Sequence, residues 1–433
     1  MISLIIKNIW HRRTSNAWLF IELIIVTIVT WVIIDPVVVT VSDKMLPLGY
    51  DEDRLFYITL AEHPSDSPLY KETENNNESR INHIEHIIRK LKAIDEIESV
   101  AVISKPLNFV GIIEHYCCGD IQIDTLNKHI LSDSYEINKN ILSTIGVEVA
   151  EGSPSIEELE NMSFGYYDVI LTETADRYYF PDHRGVNEKY LIAKRQNSDY
   201  ELKSKVVGII KDIRLVNTDR NTAYVIHNYN PRDVASNFIV RLKDGINTSE
   251  YVKDNRENLR NTAASGNYFV WDIISVSESN KEREAGQGLT ASRNLRISLA
   301  LLFLINLILG VIGTVWLQTR RRISEIGIYR TFGALKIDVR TMLIGENLVL
   351  SIAAVVIGLL LYFQYALKEG LFDSVKYPDG YIQNYSWVAD FAPHFAIVSA
   401  IVAAIILICV LIGTYIPAHK ASDIEPVDAL RDE

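Results

Sequence analysis

The chain is predicted to be a membrane protein of four transmembrane α-helices, with a large α+β domain between the first helix and the second. Three observations predict it. Four mostly apolar runs, roughly 18–41, 297–317, 347–367 and 394–416, are each long enough to cross a bilayer. About 250 residues of ordinary globular composition separate the first run from the second. A dense basic cluster, RRRISEIGIYRTFGALKIDV over 320–339, lies between the second run and the third.

The N-terminal segment, 1–17, carries Lys7, Arg12 and Arg13, and no acid precedes Glu22. That bias places it in the cytoplasm. The span that follows, 18–41, exceeds a signal-peptide apolar core and has no small-residue cleavage site after it, so it reads as a retained anchor. Glu22 lies about one turn inside. A membrane carboxylate is a functional candidate by default, but here snorkelling or pairing with Arg12 or Arg13 is the better reading.

The segment 42–296 is then periplasmic. Residues 42–292 carry 41 Asp/Glu against 28 Lys/Arg, so nearly all of the chain's net charge of −12 sits there. The acidic balance and the lack of a basic stripe argue against nucleic acid. The alternating run 55–60 reads as a strand. Ile81, Ile84, Ile87, Ile88, Leu91 and Ile94 mark one face of a helix, and 100–103 reads as a second strand. The same order returns at the far end: strand 237–242, helix 249–262, strand 268–273. Two such units predict a ferredoxin-like sandwich with the middle, roughly 110–232, as an inserted subdomain. Within it, 169–172 leads into a short helix, 173–180, and 206–213 reads as a strand around Gly208. A polar stretch over 275–293 reads as a helical stalk weakened by Gly286 and Gly288.

The second span, 297–317, leads into a basic loop, 318–346, expected in the cytoplasm. The third span, 347–367, leads into a periplasmic loop, 368–393, acidic on balance. The fourth, 394–416, returns the tail, 417–433, to the cytoplasm. Asn306 and Gln364 read as interhelical hydrogen-bonders. Ile323, Ile326, Tyr329 and Phe332 recur at about three residues, the pattern of an amphipathic helix on the membrane face, suited to docking another protein.

Three cysteines make no disulfide framework. Cys409, inside the fourth span, reads as a packing residue. Cys117 and Cys118, near His115, lack a four-ligand metal pattern. His83 and His86 share a helix with Glu85, where an exposed polar face is the better reading. No metal or catalytic residue is expected. The chain has no G-x-x-x-x-G-K-[ST], H-E-x-x-H or G-x-S-x-G, so it neither cradles nucleotide nor carries those catalytic devices.

In the basic loop the order of residues is informative: Arg322, Glu325-Ile-Gly327-Ile, Arg330, Gly333-Ala334. It resembles the R-x-x-E-I-G-I-x-R-x-x-G-A signature of FtsX-type ABC permeases, the MacB group included. Glu346 matches a common family position. At the C-terminus Pro417-Ala418, Ala421, Asp423-Ile-Glu-Pro426 and Ala429-Leu430-Arg431 look like the family's closing motif. The stretches 169–180 and 206–212 resemble the core of MacB-type periplasmic domains.

The resemblance implies a permease of the inner membrane, not itself an enzyme and binding no cofactor, with ATP and Mg held by a separate cytoplasmic ATPase. That ATPase would couple through Arg322, Glu325, Gly327, Arg330, Gly333 and Ala334. Gly327 and Gly333 would allow close backbone approach, and Arg322 and Arg330 would meet acids on the partner. The resemblance further implies a dimer with a second copy or a paralogue. The first span is reached by residue 18, so a fused N-terminal ATPase is not expected. Export of a peptide, antibiotic or lipid-like substrate, with a periplasmic adaptor and an outer-membrane channel, is the leading reading. Lipoprotein release is the alternative within the family. A membrane-anchored sensor or scaffold without an ATPase is the alternative of another class.

Overall fold

The computed structural model describes residues 13–103, 121–123, 126–128, 133–137, 140–162, 168–180, 186, 190–194, 201–214, 220, 222, 224–228, 237–373 and 387–423. His115, Cys117, Cys118, Pro426, Ala429, Leu430 and Arg431 lie outside them. The chain begins with a long helix, α1 (Arg13–Met45), and then enters the first of two compact units, Asp43–Gly288.

Its two strand–helix–strand units are the predicted ones. The first is β1 (Leu55–Glu62), α2 (Asn77–Lys92) and β2 (Ile97–Ile103). Between the units lie β3 (Ile121–Ile123), β4 (Leu126–Lys128), β5 (Asp133–Ile137), α3 (Ile141–Ile145), α4 (Ile156–Asn161), β6 (Val169–Thr172), α5 (Glu173–Tyr179), β7 (Tyr190–Lys194), β8 (Glu201–Ile210) and β9 (Tyr224–Asn228). The second unit is β10 (Asn237–Leu242), the pair α6 (Thr248–Asp254) and α7 (Arg256–Thr262), and β11 (Tyr268–Ser275). The four outer strands form one antiparallel sheet in the order β11-β1-β10-β2, so the second unit inserts a strand into the first, as a ferredoxin-like sandwich requires.

Period-two alternation divides β1 between two cores. Phe56, Ile58 and Leu60 pack under Ile84, Ile87 and Leu91 of α2 and Val252 and Leu259 of α6 and α7. Leu55 and Tyr57 point the other way, onto Ile141, Leu142 and Ile145 of α3. A sheet covered on both faces buries both phases, which is why every residue of β10 is buried, Asn237 and Arg241 included. The helix expected over 249–262 is broken at Asn255, whose side-chain amide donates to the Tyr251 carbonyl. Opposite Thr59–Leu60, β11 carries a bulge whose extra residue, Trp271, is exposed.

The inserted strands make a mixed seven-stranded sheet, β4-β3-β7-β8-β6-β9-β5. The strand expected at 206–213 begins earlier, at Glu201, and ends at Ile210. Gly208 lies under Leu159 of α4, where a Cβ would sit 2.7 Å from a Leu159 methyl carbon. His83 contacts Ser265 and Glu74 through its two ring nitrogens, while His86 is exposed. The expected stalk is divided: α8 (Val276–Gly286) stops, Gly288 takes φ +72°, and α9 (Leu289–Arg320) begins eight residues before the predicted span.

The second unit holds α1, α9, the short α10 (Ile323–Thr331), α11 (Lys336–Glu369) and α12 (Phe391–Asp423). Four of these, over Ala17–Met45, Leu289–Arg320, Lys336–Glu369 and Phe391–Asp423, are long and apolar enough to span a bilayer. Small residues mark their crossings. Gly358 of α11 lies against Thr27 of α1, and Gly413 of α12 against Val311 of α9. Cys409 packs in the same core. Glu22 lies over Gly310 of α9, its carboxylate turned toward a neighbouring span. Asn306 bonds the Leu302 carbonyl of its own helix, so it is not the interhelical link expected of it, and Gln364 is exposed.

Candidate coupling site

The basic loop between α9 and α11 is shaped by where α10 must stop. Its last turn closes with the Ala334 N–H on the Tyr329 carbonyl and the Gly333 N–H on the Arg330 carbonyl, both at 3.0–3.1 Å. That pair of bonds is a Schellman stop, and it needs a left-handed residue at Gly333, where φ is +94°. No atom lies within 4 Å of a Cβ built there. Within this chain the glycine is required by its backbone conformation. After the stop, Leu335 donates its N–H to Asp338 and α11 begins at Lys336, so 336–346 belong to a long helix and not to a loop.

The face of α10 also differs from expectation. Ile326 is buried with Val339 and Leu343 of α11 and Ala418 and Ala421 of α12, with Ala334 against them. Tyr329 is 39% and Phe332 88% exposed. A spacing of three falls back about 60° per step on a helix of 3.6 residues per turn, so a residue nine positions on faces the opposite side. The four apolar residues are thus divided: Ile326 anchors the helix, Ile323 is half-buried, and Tyr329 and Phe332 face out, joined by Ile328, Leu335 and Ile337.

Arg322 is 9% exposed, and its two terminal nitrogens reach Glu346 of α11 at 2.5 and 3.1 Å. Glu325 lies 3.7 Å from the same guanidinium. The Arg322 charge is matched inside the chain, by Glu346 and by Glu325. Arg330, half-buried, donates to the Ala334 carbonyl, while Glu325 stays exposed. Gly327 is buried beside Ile326. Pro417 sits buried inside α12. Lys336–Asp423 at 3.0 Å and Arg340–Ser422 at 3.3 Å tie the start of α11 to the end of α12. Together these contacts fix α10 to the ends of two long helices and leave a cluster of apolar side chains uncovered.

Residues 297–426, from within α9 through this loop to the C-terminal motif, match the family model described as FtsX-like permease C-terminal. The chain carries an FtsX-like permease domain. The matched region holds three of the four helices long and apolar enough to cross a membrane. Part of the chain is similar to two solved structures. One is the periplasmic region of MacB from Actinobacillus actinomycetemcomitans, 13% identical over 55% of this chain and 94% of that one, with a TM-score of 0.30. The other is a permease-protein domain from Porphyromonas gingivalis, 12% identical over 51% and 91%, also at 0.30. A comparison with curated proteins gives no match.

The chain has a second polar cluster that sequence reasoning missed. Asp35 of α1 and His394 of α12 are buried, with His394 Nε2 2.6 Å from Asp35 Oδ1. The other Asp35 oxygen accepts the Phe372 N–H at 3.2 Å, and His394 Nδ1 faces the Val388 carbonyl at 2.9 Å. The signal was present: an acid inside an apolar run is rarely idle.

Proposed function

We propose that the chain is the permease subunit of an ABC transporter of the MacB/FtsX type. A separate ATPase docks on α10, and its ATP-driven motion passes through the spans to the domain Asp43–Gly288, driving export of a peptide, antibiotic or lipid-like substrate. The carrying observation is the loop's construction. Ile326 and the Arg322–Glu346 pair hold α10 on α11 and α12, while Phe332, Tyr329 and Leu335 stay uncovered. A force applied to those side chains reaches two long helices without loss in a soft loop. Uncovered apolar side chains rimmed by basic residues fit a protein partner.

The chain lies in the inner membrane with both termini cytoplasmic, as the basic loops favour. It works as a dimer with a second copy or a paralogue, beside ATPases that hold the ATP and Mg. A periplasmic adaptor and an outer-membrane channel complete the export route. The test is purification of the full chain from its host in mild detergent. An ATPase of about 220–250 residues, one ordinary domain, should co-purify and hydrolyse ATP, and Phe332→Asp should remove it. Recovery of the ATPase with Phe332→Asp at wild-type yield would refute docking on α10.

A further inference from the structure

At the end of α9, beside α10 and the end of α12, lies a pocket of about 260 Å³. Its lining is amphipathic, combining Trp316, Ile323, Pro417 and Ala421 with Arg320 and Lys420. Both cations are exposed, and Lys420 Nζ sits 5.1 Å from the centre of the Trp316 ring. Among the described residues neither cation has a carboxylate within ion-pair distance. Among the described residues the nearby acids are engaged elsewhere, Glu346 and Glu325 with Arg322, and Asp423 with Lys336 and His419. Leu317 and Ile416, adjoining the lining residues on the same two helices, are 61% and 46% exposed on surfaces that suit hydrocarbon.

We infer that this pocket binds the headgroup of an anionic phospholipid. Two cations at one pocket, neither paired with a carboxylate among the described residues, fit a phosphodiester, and the volume suits a headgroup and not a whole lipid. An indole beside a lysine is the pairing found at the bilayer interface, where an aromatic body and a charged tip meet different media. Basic pockets between transmembrane helices recognise anionic headgroups in this way. A free phosphate would use the cations but not Trp316, Ile323 or the exposed apolar flanks. The lipid belongs to the cytoplasmic leaflet; that assignment alone rests on the proposed topology. Because Ile323 belongs to α10, the bound lipid touches the coupling helix itself.

The experiment is native mass spectrometry of the full chain released from detergent, with phosphatidylglycerol or phosphatidylcholine added. The wild type should retain phosphatidylglycerol in preference to phosphatidylcholine. Arg320→Gln with Lys420→Gln should weaken that binding roughly 25-fold, two interfacial charges' worth. Arg321→Gln, a neighbouring exposed arginine outside the pocket, should leave it unchanged. Equal retention of the two lipids, or an undiminished adduct in the double variant, would overturn the inference. Displacement by millimolar inorganic phosphate would overturn the lipid in favour of a small anion. If the double variant proves misfolded, Lys420→Gln alone carries the test, with an expected loss of about fivefold. An inverted topology would appear separately, in cysteine labelling, and would leave lipid retention intact.

Discussion

Arg322 and Glu346 form a two-pronged ion pair, buried from solvent, that bolts the turn before α10 to the first turns of α11. Planar guanidinium and carboxylate match in geometry as well as in charge. Breaking such a pair from one side strands a buried charge, a loss of about 3 kcal/mol. Arg322→Ala and Glu346→Ala should each lower the melting midpoint of the detergent-solubilised chain. The exchanged pair Arg322→Glu with Glu346→Arg should recover part of the loss. If the double exchange is as unstable as the sum of the singles, the two residues are not a coupled pair.

The Asp35–His394 contact joins α1 to α12, and the Asp35 carboxylate also caps the chain leaving α11 at Phe372. Both ring nitrogens of His394 lie within hydrogen-bond reach of oxygen atoms, so the imidazole is held at both ends inside the bundle. Asp35→Asn should therefore cost more than a surface substitution, about 3 kcal/mol, because the buried imidazole loses its charged acceptor. His394→Ala should cost a similar amount. Thermal unfolding of the full chain in detergent measures both, and shifts under about 0.5 kcal/mol, the range of surface changes, would show the pair to be incidental.

Coupling should be sensitive to how α10 ends. Gly333→Val puts a β-branched residue at φ +94°, a strain of about 1–3 kcal/mol, and re-aims Phe332 and Leu335. Glu325→Lys places a cation beside Arg322. Each variant should retain a folded external domain and lose stimulated ATP hydrolysis in the complex. Wild-type stimulation in both would remove α10 from the coupling route.

Topology is open to direct labelling. With Cys117, Cys118 and Cys409 replaced by serine, single cysteines at Glu78 and Thr331, both exposed, give opposite expectations. On intact spheroplasts an impermeant maleimide should label the cysteine at 78 and spare that at 331. The reverse pattern would invert every orientation proposed above.

The domain Asp43–Gly288 has its own cores and should fold cooperatively when excised. Glu52 gives it a pH signature. Burial is the main reason its carboxyl titrates above 4.5, opposed by the hydrogen bond from Asn280. The folded state then binds more protons than the unfolded one just above pH 4.5, so stability falls as pH rises through that window and stays lower beyond it. Glu52→Gln keeps a partner for Asn280 and removes the charge. It should raise the melting midpoint at pH 7 and flatten the decline above pH 4.5. An unchanged midpoint would mean that water reaches Glu52 in solution.

The sequence by itself determined the spans and the outer strand–helix–strand units in order, but left most of the inserted strands, β3–β5, β7 and β9, unplaced. Apolar length decides whether a helix crosses a bilayer, and periodicity of two or 3.6 decides strand or helix, so the four spans, both strand–helix–strand units and the permease signature were readable from neighbours along the chain. What the tertiary structure decided were matters of direction and pairing. Period alone did not say which side of α10 faces its neighbours. Ile326 turns in and Phe332 turns out because α11 and α12 cover one side only. Nothing local paired Arg322 with Glu346 or Asp35 with His394, since those partners are 24 and 359 residues apart and meet only once the helices pack. Gly333 was visible as a glycine, but its need for a left-handed backbone appeared only with the two hydrogen bonds that end the helix.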